Sequence, residues 1–321
     1  MASSSRRTYM TRSAIETRLN SHGPPSELVD HPSMVSATKS CIIVKQVGRS
    51  LGFPARTIGT AQLLVHRAHI FRYPNAPPIA STDLASACLL VAAKMEETIK
   101  RLRDILAHSY LLLTRPGDAF EPQSVGSAVT DKMRPAVMSA EQFVLDAIGF
   151  DFRTTHPHML FVKLARLANA DQACARRGWL LLADAFFTTL PVQYPAAVLA
   201  AGSLFLAHSL ACDDPEKTHP WVLRVLSVQP PAREYNGKLE NGHVHGKRKR
   251  RPETLDMDSE WWVDFDVATE DIQGFVRQIV DFYLLFFSSS SVASPEFIER
   301  HQSGLPSREM SQQIGQWRMK L

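Results

Sequence analysis

Apolar positions along most of the chain recur every three or four residues, the period that turns one face of an α-helix toward a core. Ile42, Ile43, Val47 and Leu51 form the first clear stripe, and Gly52 ends it. Pro54 suits the first turn of the next helix. Its stripe is Ile58, Ala61, Leu64, Val65, Ala68 and Phe71, and Pro74, Pro77 and Pro78 break it. Ser81-Thr82-Asp83 then offers N-cap oxygens. Leu84, Ala85, Ala87, Cys88, Leu89, Leu90, Val91, Ala92 and Ala93 follow and are apolar all round, as in a helix buried on most sides. Its small residues let neighbours approach closely, which predicts the central helix of a bundle. Further helices are predicted over 101–113 and 135–149, the second opened by Pro135 and closed by Gly149.

A second set of helices follows. One starts at Thr155-His156-Pro157 and runs through Leu167. Asp171 caps a long one through Thr189, Pro195 opens another over Ala196–Ala211, and a last one spans about 268–287. No segment alternates with a convincing strand period. The stretch Asp83–Lys94 parallels Ala197–His208, each a small-residue apolar helix preceded by proline. The expectation is therefore all-α, with two units of one design joined near residue 153. A flexible arm over 1–33, with a short helix at 11–19, precedes the first unit at 34–153. The second unit, 154–288, carries a disordered insert at 229–258, and a mobile polar tail occupies 289–321.

Composition narrows the class. The chain has 321 residues, 45% of them apolar and 21% charged, which suits about two globular domains at roughly 150 residues each. Its cysteines, Cys41, Cys88, Cys174 and Cys212, form no CxxC pair, which argues against a zinc site or a disulfide framework and fits a reducing compartment. No apolar run reaches the roughly 18 residues of a membrane span, and Met1–Arg7 lacks the apolar core of a secretory signal. A cytosolic or nuclear protein is expected, with no membrane partner.

Lys and Arg number 36 against 32 Asp and Glu, a formal charge of +4. The segment Arg233–Arg251 alone carries +5, from seven Lys or Arg and two Glu, which leaves −1 on the rest. The body is therefore not a basic nucleic-acid binder, and no direct DNA binding is expected. The run Lys247-Arg248-Lys249-Arg250-Arg251 suits a nuclear-import signal on a flexible loop. The alternative is a solvated charge run with weak affinity for phosphates.

One charged residue sits where none is expected. Glu141 falls in the middle of the stripe Val137, Met138, Val144, Leu145, Ile148. An unpaired carboxylate there costs several kcal/mol (about 2–7 for a polar group, more for a charge). Lys94, at the end of the apolar helix, is the natural partner and also suits that helix's negative terminus. The residues leave two roles open, an internal pair joining two helices or a pair directed at another chain.

Those residues resemble a known family. Leu90-Val-Ala-Ala-Lys94-Met-Glu-Glu97 and Met138-Ser-Ala-Glu141-Gln-Phe-Val-Leu145-Asp-Ala-Ile-Gly-Phe150-Asp-Phe152 are similar to the cyclin box. His66-Arg67-Ala-His69, the junction Phe152-Arg-Thr-Thr-His156-Pro157-His158, Gln193-Tyr194-Pro195 and Trp261-Trp262 resemble features of transcriptional cyclins of the K and T types and of fungal RNA polymerase II C-terminal-domain kinase beta subunits. The resemblance covers about 35–290. It implies two tandem five-helix cyclin-box repeats and a regulatory subunit, itself no enzyme, that activates a cyclin-dependent serine/threonine kinase. The implied substrate is the RNA polymerase II C-terminal domain, with promotion of transcription elongation and a nuclear location. Lys94 and Glu141 would bind the kinase, with Met95, Leu145, Phe150 and Phe152 around them. A third regulatory subunit is left open. The alternative is a kinase-independent cyclin-box scaffold or general transcription factor. The first helix, Cys41-Ile-Ile-Val-Lys-Gln-Val-Gly48, lacks the substrate-docking face of cell-cycle cyclins, and no long His- or Pro-rich C-terminal extension follows.

Other constellations read as structural. His156-Pro-His158 has no further ligand at metal spacing and marks a helix start. His208 reads as a core histidine, and Trp261-Trp262 as core aromatics rather than a stacking platform. Glu96 and Glu97 point about 100° apart on a helix and read as solvent- or partner-facing charges. Phosphate-binding glycine loops and a GxSxG elbow are absent. No catalytic residue, metal or cofactor is expected.

Overall fold

The computed structural model describes residues 9–21, 31–72, 78–114, 122–152, 154, 156–211, 254–257, 260–286 and 304–320, and among these the secondary structure is helical throughout. Five helices build the first unit: α2 (Pro32–Ser50), α3 (Ala55–Ile70), α4 (Ser81–Met95), α5 (Leu102–Thr114) and α6 (Ser127–Ile148). The apolar α4 is buried from Leu84 to Ala93 and packs against α2, α3, α5 and α6, the central place its composition predicts. Its one polar interior residue, Ser86, is satisfied by Thr82 O at 2.8 Å and Ser109 Oγ at 2.9 Å. The N-cap is Ala80 rather than the predicted Ser-Thr-Asp oxygens, which fall inside the first turn.

Two expectations about this unit change. α6 begins at Ser127 and runs through Pro135 instead of starting there. Proline inside a helix removes one backbone bond and costs about 3 kcal/mol. Here it lies among exposed residues of α6, and the buried stripe Thr130, Val137, Ala140, Glu141, Val144 and Ile148 holds the helix on its other side. The short helix expected at 11–19 forms as α1 (Arg12–Asn20), but it is anchored rather than loose. Thr11 Oγ1 caps it at 3.1 Å from Ala14 N, Ile15 and Leu19 are buried in the first core, and Arg18 Nε donates to Ile70 O at 2.9 Å.

The second core gathers α7 (Pro157–Leu167), α8 (Gln172–Ala185), α10 (Ala196–Ser209) and α11 (Thr269–Phe286), with the short α9 (Leu190–Gln193) alongside. Asp171 caps α8 as expected, accepting from Cys174 N at 2.7 Å. α8 stops at Ala185, before the predicted Thr189, and its chain turns through Phe186 and Phe187. α10 is apolar all round; at Gly202 a Cβ would lie 2.5 Å from the Phe275 ring, so glycine permits the close crossing with α11. Trp261 and Trp262 are buried as core aromatics. Most of the 229–258 insert lies outside the described residues. Its last part is packed rather than disordered: Leu255 is buried, and its N–H donates to Leu167 O at 2.9 Å.

The polar tail also departs from the expectation of mobility. Residues 308–320 form α12 (Arg308–Lys320), and Met310 and Ile314, one helical turn apart, are buried in the second core. The preceding Gly304 touches α2 so closely that a Cβ would sit 2.5 Å from Ile42 O. This segment completes a buried polar network between the two halves. Lys45 on α2 donates to Asp184 Oδ1 on α8 at 2.8 Å and to Leu305 O at 3.2 Å. Asp184 Oδ2 accepts from Tyr283 Oη at 2.6 Å and from Ser307 N at 2.9 Å. Burial, and then the carboxylate beside it, push the Tyr283 phenol well above its ordinary range. No helix among the described residues is long and apolar enough to cross a membrane.

Candidate functional site

The end of α4 meets the C-terminal half of α6 through two of the predicted residues. α4 delivers Lys94 from its last turn, and the buried stripe of α6 delivers Glu141. Lys94 Nζ lies 2.6 Å from Glu141 Oε1. The pair is asymmetric: the lysine side chain is 58% exposed and the carboxylate 8%. Each helix then reverses through a left-handed residue. Glu97 at φ 55° follows α4, and Thr98 N donates back to Ala93 O at 2.9 Å. Gly149 at φ 59° closes α6, and Phe150 at φ 56° extends the reversal with its N–H on Leu145 O at 3.1 Å.

That reversal projects aromatic surface into solvent. Phe150 is 60% exposed and Phe152 48%, their rings edge to face at 6.3 Å. Met95 and Leu145 are half-buried against the first core, and Met138 on α6 and Ile99 beyond α4 are exposed as well. Fully burying one such side chain is worth about 1.5–3 kcal/mol. Exposed apolar groups on a protein surface are a feature of docking sites. Of the six residues expected at the site, Lys94 pairs with Glu141, Phe150 with Phe152, and Phe150 N with Leu145 O, while Met95 follows Lys94 at the end of α4. The basic run 247–251 lies outside the described residues.

Sequence reasoning misplaced one neighbour. Glu96 is buried, not solvent-facing. Its Oε1 accepts from Thr60 Oγ1 at 2.8 Å and Thr154 Oγ1 at 3.3 Å and lies 2.9 Å from His156 Nε2, while Oε2 is 3.6 Å from Arg56 Nε. His158, in the first turn of α7, stacks on Phe186 at 5.6 Å, and burial drives its pKa down to about 4. His66 on α3 is likewise lowered to about 4 by burial, which outweighs its bond to Phe186 O at 3.0 Å. Lys45 and Asp184 were also missed, although each interrupts an apolar stripe as Glu141 does. Among the described residues no group of three His, Cys, Asp or Glu side chains could hold a metal ion.

Known proteins resemble this chain in sequence and in fold. No protein-family model matches the chain. The CTD kinase subunit beta of Schizosaccharomyces pombe is 33% identical over 188 residues, 58% of this chain and 54% of the relative. Cyclin-T1-4 of Arabidopsis thaliana is 26% identical over 281 residues, 86% of this chain and 44% of the relative. Human Cyclin-K is 29% identical over 168 residues, 51% of this chain and 27% of the relative. The chain thus spans about half the length, or less, of these curated relatives. A chain of the yeast RNA Pol II CTD kinase CTDK-1 complex superposes with a TM-score of 0.60 at 17% identity, covering 96% of this chain and 82% of that one, which establishes the shared fold. The chain is thus similar in sequence to transcriptional cyclins of the K and T type and to a CTD kinase beta subunit, and it shares its fold with a chain of a CTD kinase complex.

Proposed function

We propose that this chain is the regulatory subunit of a cyclin-dependent serine/threonine kinase that phosphorylates the RNA polymerase II C-terminal domain and so promotes transcription elongation. The observation that carries the reading is the half-open Lys94–Glu141 pair set among exposed Phe150, Phe152 and Met138. The first box, 34–153, is the kinase-binding unit, and the second, 154–288, supports it. Lys94, Met95, Glu141, Leu145, Phe150 and Phe152 form the contact. The cyclin performs no chemistry. It favours the kinase conformation in which the kinase's own Lys–Glu pair and Mg²⁺-binding Asp are aligned. Moving that equilibrium from 1:99 to 99:1 takes about 5.5 kcal/mol of preference for the active state. Apolar burial and a desolvated charged contact together supply energies of that order.

The names of the relatives support the choice of kinase class: one is a CTD kinase subunit and others are cyclins T and K. The run Lys247–Arg251 serves nuclear import. Reconstitution tests the main reading. A cyclin-dependent kinase co-purified with the chain should phosphorylate a heptad-repeat peptide far faster with the chain than without it. A bound kinase with the same activity in its absence would refute a regulatory role. Replacing Lys247, Arg248, Lys249, Arg250 and Arg251 with Gln should leave that activation intact and move a fluorescent fusion toward the cytoplasm in cells depleted of the kinase. Continued nuclear accumulation there would refute the import role.

A further inference from the structure

We propose that Glu96 is a positioning residue: its buried carboxylate fastens the segment carrying Phe150 and Phe152 to the end of α4 carrying Lys94 and Met95, so that the two halves of the kinase face are held in one geometry. The proposal rests on the kinase-face reading above. Glu96 itself is buried and cannot reach a partner; it acts through what it holds.

Three pieces of chain converge on it. From the first turns of α3 come Thr60 Oγ1 at 2.8 Å and Arg56 Nε at 3.6 Å, and Arg56 Nη2 also donates to the Glu96 carbonyl at 3.0 Å. From the segment entering α7 come Thr154 Oγ1 at 3.3 Å and His156 Nε2 at 2.9 Å. The third piece is the end of α4, where Glu96 occupies the C-cap and Thr57 and Thr98 join their hydroxyls at 3.0 Å. Phe152 therefore lies between two fixed points. Behind it, Gly149 N bonds to Asp146 O at 3.0 Å and Phe150 N to Leu145 O at 3.1 Å, the closed cap of α6. Ahead of it, Thr154 and His156 are held on the carboxylate. A carboxylate buried at a helix end with four side-chain donors around it restrains all the elements that supply them. Two exposed phenylalanines on an untethered loop would lose freedom on docking, and a tethered loop has already lost it.

The test uses the full chain and its kinase. Thr154→Val combined with His156→Ala cuts the tether from the loop side and leaves Thr60 and Arg56 on the carboxylate, so the fold survives. Glu96→Gln is the companion, and Lys94→Ala serves as reference. Calorimetric titration with kinase and amide exchange of the free chain are the readouts. We expect faster exchange at 150–156, kinase affinity lower by about tenfold, and an unchanged melting temperature for the loop-side variant. Slow exchange at 150–156 in that variant, or full affinity in it and in Glu96→Gln while Lys94→Ala is weakened, overturns the positioning role. Full affinity in Lys94→Ala as well refutes the kinase face itself, and the proposal with it.

Discussion

Two lysine–carboxylate pairs of nearly equal length do opposite things in this molecule. Lys45–Asp184 closes at 2.8 Å between the two halves, and Lys94–Glu141 at 2.6 Å on the edge of the first. The inner pair is saturated by its own chain: Tyr283, Ser307 N and Leu305 O use the remaining valences, and the Phe187 ring lies 4.6 Å from the ammonium. The outer pair has a buried carboxylate and an ammonium open to solvent. Charge alone thus does not single out the outer pair. What sets it apart is an ammonium left open to solvent, with exposed apolar side chains elsewhere on α6 and beyond it.

The comparison predicts its own test in stability. Removing one member of a buried pair leaves an uncompensated charge and costs about 3–5 kcal/mol. Asp184→Ala should fall in that range by denaturant unfolding, whereas Lys94→Ala, which leaves a buried carboxylate that water can approach from the open lysine side, should cost less, about 1–3 kcal/mol. Equal losses would erase the distinction. Acid offers the next largest effect. His66 and His158 titrate near 4 in the fold against an ordinary 6.5. Between those values the unfolded chain binds more protons, so stability is full above about pH 6.5 and declines as pH falls toward 4. Thermal melts from pH 7 to 4 should show that slope, and His66→Gln should flatten it. Smallest in stability are Phe150→Ala and Phe152→Ala. A buried phenylalanine lost to alanine costs about 3–5 kcal/mol, but these two are exposed and should change unfolding by about 0.5 kcal/mol. The same variants should weaken kinase binding at least tenfold by titration; a large stability loss with unchanged affinity would make them core residues after all.

Much of the helical order was legible because periodicity and caps act locally, as at Asp171 and Gly149. Glu141 was legible too, since a charge inside an apolar stripe demands a partner. Glu96 was not, because its burial depends on the left-handed turn at Glu97 and on Thr154 and His156 far along the chain. Lys45 and Asp184 each interrupt an apolar stripe too, but they lie 139 residues apart and neither pattern names the other as its partner. The tail helix hid its anchors, Met310 and Ile314, among polar residues. Pro135 misled for a different reason: its missing bond falls among exposed residues, so the buried stripe outweighs the proline.

The central claim is that Lys94 and Glu141 face a kinase and not merely each other. Isothermal titration of the cyclin-dependent kinase with the wild-type chain, Lys94→Ala and Glu141→Ala, each checked by circular dichroism, addresses it directly. Truncating one partner of a desolvated charged contact costs about 2–5 kcal/mol, so affinity should drop by about thirty-fold or more with the helical spectrum unchanged. Wild-type affinity in both variants would contradict the account.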